Sequence, residues 1–117
     1  MSLRQRSEAV HVFNSTPTAA GTATLVSGVP GTIIRVYRAI ITLGTVGSPP
    51  ALVQFNGSSS GVISSQFQLP SVGQLNLIDG AQNLDPLFST VTPGEGLQLI
   101  VSGGNFSWDI WHLQAPA

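Results

Sequence analysis

Apolar and polar residues alternate along most of this chain, in short runs punctuated by Gly, Pro, Ser and Asn. Successive side chains of a strand point to opposite faces of a sheet, so the pattern predicts β-strands. Candidate strands fall at 8–13, 22–27, 32–43, 51–56, 61–69, 73–78, 87–91, 97–102 and 105–114. Turn-rich segments such as STPTAAG and GTVGSPP separate them, and Pro49 and Pro50 cannot sit in a central ladder. The one helix-like stretch, LIDGAQNLDPLFS, is limited to a turn or so by Gly80 and Pro86. Eight or nine short strands predict an all-β fold, a two-sheet antiparallel β-sandwich, jelly-roll-like, of about eight strands. Residues 8–117 are expected to form this single domain, with residues 1–7 a flexible N-terminal arm.

Two strands carry apolar residues on both faces. In the last, Phe106, Trp108 and Ile110 share one face, while Ser107, Asp109, Trp111 and Leu113 share the other. In TIIRVYRAIITL at 32–43, the set Ile33, Arg35, Tyr37, Ala39, Ile41 and Leu43 and the set Ile34, Val36, Arg38, Ile40 and Thr42 are both mixed. Either a bulge changes the register midway, or both faces are covered. Ile100 likewise stands among polar neighbours, opposite Leu97, Leu99 and Val101. Cover by another subunit would account for Ile100, Trp111 and Leu113. Trp111 folding back onto its own sheet is the other reading.

Charge sharpens the picture. The 117 residues hold four basic and five acidic side chains, 8% of the chain, against about 25% in an ordinary domain. A domain with so little charge is poorly solubilised alone, which points to an obligate assembly. All four basic residues are arginine and lie early, at Arg4, Arg6, Arg35 and Arg38. A net charge of −1 attracts neither nucleic acid nor an acidic membrane over the whole surface. The stretch of 18 apolar residues that a membrane span needs is missing, and the N-terminus lacks a signal-peptide core. Synthesis in a cytoplasm without export is therefore expected.

The inventory for chemistry is thin. Without cysteine, disulfides and thiolate metal sites are excluded. His11 and His112 lack any metal-ligand spacing, so no metal is expected. Asp79 and Asp85 stand in Asp-Gly and Asp-Pro contexts that suit turns better than the opposed carboxylates of a glycosidase. Gly94-Glu95-Gly96 is a lone G-x-G between strands, without the helix start that a dinucleotide site needs. The chain is expected to be no enzyme and to take no cofactor. Trp111 could stack on a sugar, which keeps a glycan-binding reading open.

The run GVPGTIIRV at 28–36 and PGEGLQL at 93–99 together resemble small all-β proteins of tailed bacteriophage virions, over about residues 22–114. The resemblance implies a jelly-roll-like structural virion protein, chiefly a capsid decoration (cement) protein on the capsid surface. The alternative is a receptor- or glycan-binding domain of a tail or fibre. A decoration protein is expected to form a homotrimer and to contact the major capsid protein. In a cyclic trimer one patch meets a different patch of the next copy, which suits apolar residues on two faces. Ile100, Trp111 and Leu113 then become subunit-interface residues, and Arg4 and Arg6 of the arm capsid-contacting ones, through charged hydrogen bonds to carboxylates. An ordinary frayed terminus is the plainer reading of that arm.

Overall fold

The computed structural model describes residues 9–14, 16–44, 51–69, 73–78 and 86–117. Among these it places ten strands and no helix: β1 (Val10–Phe13), β2 (Gly21–Val26), β3 (Thr32–Leu43), β4 (Ala51–Gly57), β5 (Gly61–Val62), β6 (Phe67–Leu69), β7 (Gly73–Ile78), β8 (Phe88–Ser89), β9 (Leu97–Ser102) and β10 (Phe106–Pro116). They form two antiparallel sheets packed together. Sheet A runs β1-β10-β3-β7, with β8 further along β3; sheet B runs β2-β9-β4-β5, with β6 further along β4. Counting β5 with β6 and β7 with β8 leaves eight positions, ordered 1-8-3-6 and 2-7-4-5. That is the strand order of a jelly roll.

The mixed faces of β3 resolve into a bulge. Trp111 pairs with Arg38 and His112 with Val36, so Tyr37 is an extra residue on β3. Its insertion swaps the faces. Ile34 and Val36 before it, and Ala39, Ile41 and Leu43 after it, are all buried, while Ile33, Arg35, Arg38, Ile40 and Thr42 point outward. Leu25 plays the same part in β2, where Thr24 pairs with Gln98 but Val26 pairs with Leu97. Strand β10 keeps strict alternation and buries Phe106 and Ile110.

Hydroxyl groups explain why two expected strands are shorter than their sequence pattern. Along 61–69, the Ser64 hydroxyl accepts the Phe55 N–H at 2.9 Å where a backbone carbonyl would serve, and β5 is split from β6. Along 87–91, the Thr90 hydroxyl accepts the Ile34 N–H at 2.8 Å, and β8 ends at Ser89. Each substitution satisfies a ladder donor without extending the strand.

The core lies between the sheets. Val53 and Phe55 from β4 and Leu97, Leu99 and Val101 from β9 face Ile34, Val36, Ile41, Phe106 and Ile110 of sheet A. Phe55 meets Phe88 of the opposite sheet with ring centroids 4.5 Å apart. Replacing Phe55 with Ala should cost about 3–5 kcal/mol, through lost burial and the cavity left behind. Urea unfolding of the variant measures it, and a loss below about 1 kcal/mol would mean that the sheets close over the gap.

Candidate functional site

The outer face of sheet A carries a row of stacked side chains. Alternation on β1 turns His11 and Phe13 outward, and the register sets His11 opposite Trp111 and Trp111 opposite Arg38. The His11 and Trp111 rings are nearly parallel, 9° apart, with centroids at 4.3 Å. Phe13 stacks on His11 at 5.3 Å. The Arg38 guanidinium lies 4.7 Å from the Trp111 ring centre, reaching it from the strand on the other side of β10. His11 donates through Nε2–H to the Asp109 carboxylate at 2.8 Å. A carboxylate only accepts, so this contact fixes which ring nitrogen carries the proton. Phe13 is 62% exposed, and Trp111 and Leu113 are half-buried. Trp111 thus makes its ring contacts with His11 and Arg38 of its own sheet while part of its surface stays open.

Ile100 lies elsewhere. It pairs with Thr22 and Gln54 on the outer face of sheet B, together with Gln98, Leu52, Asn56 and Val62. The three expected interface residues are thus divided between opposite sides of the sandwich, and the fold does not bring Ile100 to Trp111 and Leu113. Arg4 and Arg6 lie outside the described residues, as do Asp79 and Asp85.

The sequence reading missed Glu95. Its carboxylate is buried, only 4% exposed, at one end of the sandwich. Oε1 accepts the N–H groups of Ser59 and Ser60 at 2.9 Å each. Oε2 accepts the Ser60 hydroxyl at 2.7 Å and the N–H groups of Val91 and Thr92 at 2.9 and 2.6 Å. One side chain thereby ties the turn after β4 to the loop before β9. The glycines around it make the room. A Cβ on Gly57 would collide with the Glu95 carboxylate, and one on Gly28 with the Gly94 carbonyl oxygen. The motifs at 28–36 and 93–99 therefore meet in space, where the Gly94 N–H bonds the Thr32 carbonyl at 2.8 Å. The only signal in the sequence is an acid between two glycines, which reads equally well as a loop.

This arrangement clamps the two loops together. Residues 57–61, Gly-Ser-Ser-Ser-Gly, have the spacing of a hydrolase nucleophile elbow, which the sequence reading passed over. They join two strands, however, not a strand and a helix. His112 is buried on the inner face of β10, bonded to the backbone of Val10, with Nδ1 lacking a partner among the described residues. No three His, Cys, Asp or Glu side chains cluster among the described residues. No helix among them is long and apolar enough to cross a membrane. No protein-family model matches the chain, and no curated protein or solved structure is detectably similar to it. The fold and these two surfaces define an all-β sandwich with a locked end and two unlike outer faces.

Two groups make stability depend on pH. Burial alone would raise the Glu95 pKa, but the Ser60 hydroxyl and the N–H groups of Ser60, Thr92 and Ser59 outweigh it, and the value falls from 4.5 to about 2. The unfolded chain then binds more protons between those values, so the stabilisation is full above pH 4.5 and fades toward pH 2. Burial lowers the His112 pKa below 6.5, against a smaller opposing effect of the Val10 hydrogen bond. Unfolding is favoured as pH drops below 6.5 toward that lowered value. The melting temperature should fall in two stages on acidification, the first missing in His112→Gln and the second in Glu95→Gln. At neutral pH Glu95→Gln should also lose on the order of 3 kcal/mol, because backbone donors stay buried without an acceptor. A single acid transition shared by all three proteins would contradict both assignments.

Proposed function

We propose that this chain is a non-enzymatic structural protein of a tailed-phage virion, of the capsid-decoration type, which binds the capsid lattice and stabilises the head. The observation that carries this reading is the contrast between its two outer sheet faces. The face of sheet B bears no formal charge and presents Leu52, Ile100 and Val62 among Thr, Gln, Asn and Ser. The face of sheet A bears Arg35, Arg38 and Asp109 with aromatic and aliphatic side chains. A protein that cements a lattice needs one surface for its own copies and another for the lattice.

The uncharged face suits self-association, since no ion is desolvated when it is covered. Ile100 stays at the subunit contact in this reading, as one patch of a closed trimer in which unlike patches meet. Trp111 and Leu113 move to the lattice-facing side, because they share a sheet with the arginines. The tail or fibre alternative, in which Trp111 stacks on a sugar, is less favoured: His11 and Arg38 already flank the ring.

Light scattering after size exclusion, across a dilution series, tests the assembly. A mass near three times 12.2 kDa that does not change on dilution is expected. Ile100→Glu should reduce it to a monomer or cause aggregation, while Leu113→Glu leaves it intact. A wild-type monomer at every concentration would remove the trimer, and the decoration reading would lose its main physical support.

A further inference from the structure

The charge distribution among the described residues is one-sided. Four formal charges are present there: Arg35, Arg38, Glu95 and Asp109. Glu95 is buried and consumed by five hydrogen bonds. The other three all point outward from sheet A, where Asp109 is held by His11. Arg35 and Arg38 occupy successive outward positions of β3, with the Tyr37 bulge between them. Strand rise sets their backbones about 7 Å apart. Leu113 is the cross-strand neighbour of Arg35, and Trp111 that of Arg38. The π-face of Trp111 fixes the Arg38 guanidinium at 4.7 Å, which leaves its planar fork of donors little freedom to lose on binding.

We propose that the outer face of sheet A docks an acidic protein surface, with Arg35 and Arg38 each taking a carboxylate and Trp111 and Leu113 meeting apolar side chains beside them. Charge complementarity selects this occupant. Two copies joined face to face would bring four arginines together with only two aspartates, each already bonded to His11, and the outer face of sheet B offers no acid to pair with them. A nucleic acid would satisfy the arginines but not the apolar residues Ile33, Ile40 and Leu113 on the same face. Arg4 and Arg6 stand only six and four residues before Val10, the first residue of the edge strand of this sheet. The chain's whole basic complement thus belongs to this sheet or to the segment leading into it. The inference rests on the structural-protein reading only for the nature of the partner, a lattice protein.

A glutamate–tyrosine copolymer is the probe, because it joins carboxylates to aromatic groups as the proposed partner would. Binding to the full-length protein is measured over a salt titration, with a short DNA duplex as competitor. The copolymer should bind with an affinity that falls as salt rises, and R35Q/R38Q should weaken it about tenfold or more. Asp109→Asn keeps a hydrogen-bond acceptor for His11 while removing the acid, and should tighten binding roughly threefold. Thermal unfolding shows whether the arginine variant is folded; if it is not, the wild-type salt slope and the Asp109 variant decide the matter. Binding unaffected by salt and by these substitutions overturns the proposal. Tighter binding of the DNA duplex overturns it in favour of a polyphosphate. A drop in light-scattering mass in R35Q/R38Q overturns it in favour of a second copy. Lack of copolymer binding by a protein that keeps its trimer mass removes this inference and leaves the structural role standing.

Discussion

The sorting of side chains in this sandwich hangs on one extra residue. Without Tyr37 as a bulge, the two halves of β3 could not both turn their aliphatic side chains inward, since a one-residue slip exchanges the faces of a strand. Either Ile34 and Val36 or Ala39, Ile41 and Leu43 would then point at water. Strand β3 pairs with β10 on one side and with β7 and β8 on the other. The bulge therefore sets the register of sheet A, and with it the row that places Arg38 beside Trp111.

The locked end of the sandwich and its outer faces have different physical origins. At one end of the molecule a carboxylate replaces a missing stretch of ladder. Glu95 gathers donors from turns far apart in sequence, and Gly57 and Gly28 let the chains approach closely enough for it to do so. That region is held together by hydrogen bonds that are charged and sheltered from water. On the outer faces, by contrast, specificity comes from what the strands leave uncovered. Sheet B offers amides, hydroxyls and a few aliphatic groups, and sheet A offers two arginines, of which Arg38 is held against the Trp111 ring. One fold carries both surfaces because strand alternation keeps the core separate from each of them.

The fold was largely legible in the sequence. Alternation located β3, β7, β9 and β10 to within a few residues, because their cross-strand neighbours continue the same period. Alternation could also say that β3 needed a bulge or a cover. It could not choose between them, since the position of an inserted residue depends on the partner strand. The splitting of 61–69 turned on the hydroxyl of Ser64. Serine occurs in this chain both within strands, as at Ser102 and Ser107, and outside them, as at Ser27, so its presence alone does not mark a break. Of the candidate site, Trp111 and Leu113 were found on a shared face, and Ile100 on a separate strand. Which side of the sandwich each faces is a matter of topology, not of local pattern. Glu95 was invisible for a related reason: its five donors come from segments that only the closed jelly roll brings together.

Strand β10 stands between β1 and β3, although it is the last of the ten to be made. Sheet A therefore has no centre until Phe106–Pro116 has left the ribosome. Before that the growing chain can pair β4 with β5 and β6, and β3 with β7 and β8, while β9, which joins β2 to β4, also comes late. Closure of both sheets is accordingly governed by long-range pairing, which is slow compared with local contacts. Meanwhile a nearly charge-free polypeptide rich in β-branched side chains is exposed to its neighbours. High-level expression should thus favour inclusion bodies over degradation of a folded product, even for a protein whose final state is stable.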